Sequence, residues 1–166
     1  RSGIGSEAVL KPLGIPILNR LEGVGKNLQD HLQVRLQYRL EAGETLNQHA
    51  NSWLGRIRMG LRYAYDQSGP LSMAPSQLGA FFKSSDEADR ADLEFHIQPM
   101  SADKLGTDLH PFPGITASVC HLRPQSRGTI HISGTNASDA PIIDPNYLSE
   151  AYDRDVVCRA IEKTRD

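Results

Sequence analysis

The sequence predicts an α+β fold with a mainly antiparallel sheet of five or six strands and helices on one side. Several short segments alternate apolar and polar side chains, which is the period of a strand with one solvent-facing side. Other segments repeat apolar residues at helical spacing. Hydrophobic residues make up 39% and charged residues 23% of the 166 residues, which is ordinary globular usage and argues against disorder.

The strand pattern is clearest at residues 33–40, where Val34, Leu36 and Tyr38 share one face. A helix over residues 51–67 is predicted by an apolar stripe that starts at Trp53, with Asn51 as its N-cap and Gly69 after its end. Further strands are predicted at 15–18, 77–83, 92–98, 115–122 and 129–133, and further helices at 6–13 and 149–165.

Charge and cysteine content exclude several classes of function. The formal net charge of −2 argues against nucleic acid as a partner, since a duplex binder needs a concentrated basic face. Cys120 and Cys158 form no redox or metal spacing, and the six histidines lack zinc-binding spacing. We therefore expect no metal site. No apolar run approaches the ~18 residues of a membrane span.

Two short segments are candidates for function on their residue types alone. Residues 3–8 match G-x-G-x-x-A, but the strand that should precede a dinucleotide fingerprint is missing. Residues 27–31 group an amide, a carboxylate and an imidazole beside two glycines. This group either holds a loop in place or contacts a ligand.

Four segments in order resemble the glucose–methanol–choline (GMC) flavin oxidoreductases. Residues 2–5 (SGIG) are similar to the end of a family signature, and residues 23–31 (GVGKNLQDH) to the G-V-G-x-N-L-Q-D-H segment that follows it. Residues 123–128 (RPQSRG) resemble the R-P-x-S-R-G strand entry, and residues 144–148 (DPNYL) the D-P-x-Y-L segment. The resemblance looks closest to bacterial choline dehydrogenase-like alcohol dehydrogenases.

The resemblance implies a central fragment of a longer FAD-dependent enzyme. It divides the chain into the end of a flavin-domain segment (1–32), a substrate-binding domain (33–124) and the start of the C-terminal segment (125–166). The family's dinucleotide fingerprint and catalytic histidine would lie outside these residues, so no catalytic residue is expected here and the fragment alone should be inactive and bind no FAD. By the resemblance, the residues near the cofactor would be Ser2, Gly3, Gly5, Asn27, Asp30 and His31.

The resemblance also places a substrate pocket on the predicted sheet. Choline-oxidising members carry a glutamate where this chain has Gln77, and glutamine cannot supply a charge for a quaternary ammonium group. A neutral alcohol is therefore favoured over choline. The other candidates for lining the pocket are Phe81, Phe95 and Gln98, which could equally be ordinary residues of the sheet.

The function implied is oxidation of a primary alcohol to an aldehyde by hydride transfer to flavin, with an unidentified electron acceptor. A hydroxynitrile lyase of the same fold and a free-standing binding module are the alternatives. The family placement suggests a bacterial protein that is cytoplasmic or peripherally membrane-associated. Self-association of the fragment is expected if apolar surface is left uncovered.

Overall fold

The computed structural model describes residues 1–74, 76–104 and 106–166. Short 3-10 turns cover Lys11–Leu13 and Pro70–Ser72. In chain order the elements are β1 (Ile4–Gly5), α1 (Glu7–Leu10), β2 (Asn19–Arg20), β3 (Gln33–Arg39), α2 (Leu46–Asn51), α3 (Trp53–Asp66), β4 (Leu78–Phe82), β5 (Leu93–Gln98), β6 (Gly114–His121), β7 (Thr129–His131), β8 (Ile142–Asp144) and α4 (Ala151–Arg165).

The chain forms two compact units, each made of two separate segments. Unit 1 contains Arg1–Leu32 and Arg123–Val156, and unit 2 contains Gln33–Leu122 and Val157–Asp166. Helix α4 therefore contributes its first turns to unit 1 and its remaining turns to unit 2. None of the described helices is both long enough and apolar enough to cross a bilayer.

A four-stranded antiparallel sheet forms the centre of unit 2, in the order β3-β6-β5-β4. This confirms the predicted α+β class with antiparallel pairing. The strands are distributed differently from the expectation, because the largest sheet has four strands rather than five or six and the others form two-stranded pairs. Strand β8 was not predicted, because its three residues are too short a run to show a period.

The alternation along each strand gives this sheet one apolar face and one polar face. Leu93 and Val119 are fully buried on the apolar face, and Phe95 meets Phe82 edge-on at 5.4 Å between ring centroids. The Tyr38 hydroxyl donates to the carbonyl of Thr164 in α4 at 2.9 Å. A cavity of about 410 Å³ remains between this face and the end of α4.

The predicted helix over 51–67 is two elements rather than one. Asn51 ends α2, and Ser52 is the N-cap of α3, where its hydroxyl oxygen accepts from the Gly55 N–H at 3.4 Å. Sequence periodicity missed α2, although Thr45 and Gln48 form its capping box. None of the residues of α3 is buried, so the apolar stripe that begins at Trp53 is exposed.

Unit 1 consists of short elements joined by shaped loops. Strands β1 and β2 are parallel, and β7 and β8 are antiparallel. The strand expected at 15–18 is instead β2 at Asn19–Arg20, since the N–H groups of Leu18 and Asn19 both donate to the Gly3 carbonyl and fix the pairing there. The first helix is also shorter than predicted, because Pro12 turns its last residues into a 3-10 turn.

Candidate functional site

In unit 1, the segment 23–31 is fixed by backbone pairing with the segment that follows Arg123. The Leu28 N–H donates to the Gly128 carbonyl at 3.0 Å, and the Gly128 N–H returns a bond to Leu28 at 2.9 Å. The Ile130 N–H donates to the Gly25 carbonyl at 2.7 Å. A Cβ atom on Gly25 would lie 2.2 Å from the Ile130 carbonyl oxygen, so this close approach requires glycine.

A buried carboxylate in α4 holds the R-P-Q-S-R-G turn. Asp153 is 2% exposed and lies in the first turn of the helix. Its oxygens accept from the N–H of Gln125 at 2.8 Å, from the N–H of Ser126 at 2.7 Å and from the Ser126 hydroxyl. Charge-assisted bonds of this kind are about twice as strong as neutral ones.

The D-P-N-Y-L segment contacts both of the other motifs. The Tyr147 hydroxyl donates to the Asp30 carboxylate, and this hydrogen bond raises the pKa of Tyr147 above its ordinary value. The Asn146 side-chain amide donates to the Arg127 carbonyl at 3.0 Å. Three of the four segments that carry the family resemblance are thus joined in one hydrogen-bonded cluster, which we call the motif cluster.

The six residues predicted to lie near a cofactor are all in unit 1. Gly3 and Gly5 are buried, and Gly3 adopts a positive φ of 81°. Gly5, Val24 and Ile130 line one cavity of about 90 Å³. Strand β1 therefore lies beside the motif cluster. Ser2 is exposed, and three exposed side chains lie on the fixed loop: those of Asn27, Asp30 and His31.

In unit 2, the polar face of the four-stranded sheet carries most of the predicted pocket residues. Gln98 is buried on this face, while Phe81 lies exposed on the neighbouring β4. Gln77 directly precedes β4, and alternation places it on the same side as Gly79 and Phe81. Phe95 is the exception, because it lies on the apolar face against Phe82.

Cross-strand register arranges the polar face in three rows. The first row runs Gln33, Cys120, Glu94, Phe81, the second Arg35, Ser118, His96, Gly79, and the third Gln37, Thr116, Gln98, with Gln77 beside it.

Sequence reasoning did not select Glu94, His96, Cys120 or Arg35. The His96 ring lies 3.4 Å from the Glu94 carboxylate, and the Cys120 sulfur lies 3.9 Å from its other oxygen. Burial, followed by the charge of Glu94, raises the pKa of the Cys120 thiol to about 11. The alternating Glu-x-His-x-Gln of β5 was the available signal, since those three side chains had to share one face.

A Ser–His–Asp array in unit 2 resembles a hydrolase triad but lacks an accessible nucleophile. His110 lies 3.0 Å from the Ser101 hydroxyl and 3.1 Å from the Asp103 carboxylate. Ser101 is only 1% exposed, and its hydroxyl also accepts from the buried Asn47 amide at 3.1 Å. The array therefore closes a loop rather than presenting a nucleophile.

Comparison with known proteins places these features in a family. Residues 124–166 match the C-terminal model of the GMC oxidoreductases. The chain is 39% identical to an alcohol dehydrogenase [acceptor] from Pseudomonas putida over 92% of its length. The chain is therefore similar to the GMC oxidoreductases over nearly all of its length, and residues 124–166 match their C-terminal segment. This confirms the resemblance seen in the sequence.

Two further GMC-type comparisons agree. An oxygen-dependent choline dehydrogenase from Chromohalobacter salexigens is 32% identical over the whole chain. A formate oxidase from Aspergillus oryzae, described for its FAD modification, covers 99% of the chain with a TM-score of 0.84 at 19% identity, and so shares its fold. The chain spans only 28% of the Pseudomonas relative, 30% of the choline dehydrogenase and 33% of the formate oxidase.

Proposed function

We propose that this chain is the substrate-domain segment of an FAD-dependent alcohol dehydrogenase that oxidises a primary alcohol to an aldehyde. The observation that carries the proposal is the close relationship, over 92% of the chain, to a protein named for alcohol oxidation with an acceptor. The flavin, when bound, accepts the hydride released from the alcohol carbon.

The three predicted segments follow from the same proposal. Residues 1–32 would end a flavin-domain segment, residues 33–124 would form the substrate domain, and residues 125–166 would begin the C-terminal segment. The division into compact units supports the first two boundaries, because the chain changes unit after Leu32 and again after Leu122. A third change, after Val156, falls inside the segment 125–166.

The loop of the motif cluster fits a role beside the cofactor. Its backbone is fixed by pairing with residues 128–130, while the side chains of Asn27, Asp30 and His31 remain exposed. An amide, a carboxylate and an imidazole on a rigid loop can bond the polar groups of a dinucleotide. In this proposal Ser2, Gly3 and Gly5 shape the neighbouring backbone.

The polar sheet face is the proposed wall of the substrate pocket. Gln77, Phe81 and Gln98 lie on it, and Gly79 leaves open space beside His96, since a Cβ there would meet only the Phe95 carbonyl oxygen at 3.6 Å. Phe95 supports this wall from the apolar side. The uncharged Gln77 favours a substrate without a quaternary ammonium group.

The experiment uses the full-length parent protein. Bound flavin should lose its absorbance when a primary alcohol is added without oxygen, and choline should act more weakly. A purified parent that holds no flavin would overturn the proposal. Release of cyanide from mandelonitrile without flavin reduction would assign the lyase activity instead.

A further inference from the structure

Arg35 is a half-buried cation without a counter-ion in its unit. It lies on the polar face of β3, in the same row as Ser118 and His96. Its guanidinium forms neither a hydrogen bond nor an ion pair with any residue of the ranges that the structure describes. Withdrawing a guanidinium from water is unfavourable unless an anion compensates it, so the position of Arg35 indicates an anionic ligand.

Arg35 borders a small cavity whose described lining carries positive charge only. The cavity has a volume of about 60 Å³, and its lining includes Arg35, Lys104, Gln98, Ser101 and Thr107. A single water needs roughly 10 to 15 Å³ by this measure, so a carboxylate group fits. No carboxylate of the described residues lines it.

Gln98 supplies a second polar group that lacks a partner. Its side chain is 9% exposed, and its carbonyl oxygen is buried without a hydrogen-bond partner among the described residues. Its Nε2 lies 3.4 Å from the Ser76 hydroxyl. Rotation of the amide by half a turn would let Ser76 donate to Oε1 and would leave Nε2–H as a donor without a partner in a residue that lines the cavity.

The one carboxylate of the polar face cannot serve Arg35 without giving up its own partners. Glu94 is in contact with His96 and with the Cys120 sulfur in the neighbouring row. Gln77, on the other edge of the sheet, carries no charge. Among the described residues, Arg35 therefore has no compensating carboxylate on this face, whereas the other arginine of β3 on the same face, Arg39, lies over the Phe112 ring.

We propose that Arg35 and Gln98 bind the carboxylate end of the substrate, which is therefore an ω-hydroxy acid. This inference rests on the proposed oxidation of an alcohol and names the class of alcohol. Arg35 provides the charge and two parallel N–H donors, and Gln98 provides a third donor. Both are binding residues that set specificity, and the hydroxyl at the far end of the substrate is the group oxidised.

The test compares an ω-hydroxy acid with the primary alcohol of the same chain length, using the full-length, flavin-loaded parent. In Arg35→Gln, kcat/KM for the hydroxy acid should fall at least about tenfold through KM, while kcat/KM for the plain alcohol stays unchanged. Arg35→Lys should recover part of the loss, since lysine keeps the charge but not the paired donors. Arg39→Gln is the matched control, because Arg39 is on the same face of β3 but lies over the Phe112 ring instead.

Two outcomes would overturn the carboxylate site. One is an equal effect of Arg35→Gln on both substrates, and the other is an equal effect of Arg35→Gln and Arg39→Gln. If no alcohol reduces the flavin, the proposed oxidation fails, and calorimetry with the unreactive fatty acid of the same length then decides the site separately. If the unsubstituted protein binds the fatty acid and Arg35→Gln does not, the carboxylate site is supported. If the unsubstituted protein does not bind the fatty acid, the site is refuted.

Discussion

The motif cluster of unit 1 and the polar sheet face of unit 2 restrict their residues in different ways. In the motif cluster, backbone atoms approach so closely that residue type is dictated, as at Gly25 and at the turn held by Asp153. On the polar face, the backbone pairing of the strands does not depend on which side chains stand at Arg35, Gln77 or Gln98. The segments that carry the family resemblance therefore meet in the cluster, whereas the residues proposed to select the substrate lie on the polar face.

The largest expected effect comes from removing the carboxylate that holds the R-P-Q-S-R-G turn of the motif cluster. Asp153→Ala leaves the N–H groups of Gln125 and Ser126 without their acceptor, and we expect a loss of about 3 to 5 kcal/mol in the free energy of unfolding. Calorimetric melting of the parent protein measures it. Asp155→Ala is the control, since Asp155 is exposed two residues further on and should change stability by less than about 0.5 kcal/mol. Similar losses in both variants would refute the role of Asp153.

The next prediction compares two glycines of unit 1 to separate the cost of a close contact from the cost of backbone strain in the free energy of unfolding. Gly25 and Gly14 both have positive φ, but a Cβ on Gly14 would meet nothing within 4 Å. Gly14→Ala should therefore lose only about 1 to 2 kcal/mol, and Gly25→Ala about 1 to 3 kcal/mol more. Chemical unfolding of the two parent variants gives the difference. Equal losses would show that the contact with Ile130 is not tight.

On the sheet face, a charge change should alter substrate preference rather than stability. Gln77→Glu places a carboxylate beside the proposed pocket. The kcat/KM for choline, relative to its neutral isostere with a tert-butyl group, should rise about tenfold, or ~1.4 kcal/mol. Gln67→Glu is the control, because it makes the same substitution at the C-cap of α3, outside the polar face of the sheet. If Gln77→Glu leaves the ratio of the two kcat/KM values unchanged, Gln77 does not line the pocket.

At neutral pH the smallest expected effect concerns Cys120 on the same face, because its thiol is protonated there in both the folded and the unfolded chain. Because the pKa of its thiol is raised to about 11 from an ordinary value of 9.0, the unfolded chain releases this proton first as the pH rises. The free energy of unfolding should therefore decrease between pH 9 and pH 11, and this part of the decrease should be absent in Cys120→Ser. Alkylation of native Cys120 in a Cys158→Ser background should likewise become fast only near the upper end of that range. Fast alkylation at neutral pH would contradict the burial of Cys120.

The two regions also show which elements and contacts could be predicted from the sequence alone. The alternation at 33–40 and 92–98 predicted β3 and β5 closely, since a strand with one wet face has a clear period. The capped but short α2 was missed because six residues show too little helical repeat. The partners of Asp153 could not be found, since they lie 27 and 28 residues away and are joined only by the tertiary structure.

The pocket residues show the same limit. A pattern of alternating residues tells which side chains share a face, but Phe81 and Phe95 lie on different strands and their relative sides depend on register. Register pairs Phe95 with Ala80, so Phe95 lies opposite to Phe81. Arg35 could not be selected either, because its lack of a counter-ion is a property of three dimensions.

The most direct test of the polar face as the substrate wall compares two adjacent phenylalanines of β4. Phe81 points to the polar face and Phe82 to the apolar face, where it packs on Phe95. KM for a primary alcohol and the melting temperature are measured for Phe81→Ala and Phe82→Ala in the flavin-loaded parent. The account predicts a raised KM with little change in melting for Phe81→Ala. For Phe82→Ala it predicts a lower melting temperature, which corresponds to a loss of about 1 to 2 kcal/mol in the free energy of unfolding, with an unchanged KM. The reverse pattern would contradict it.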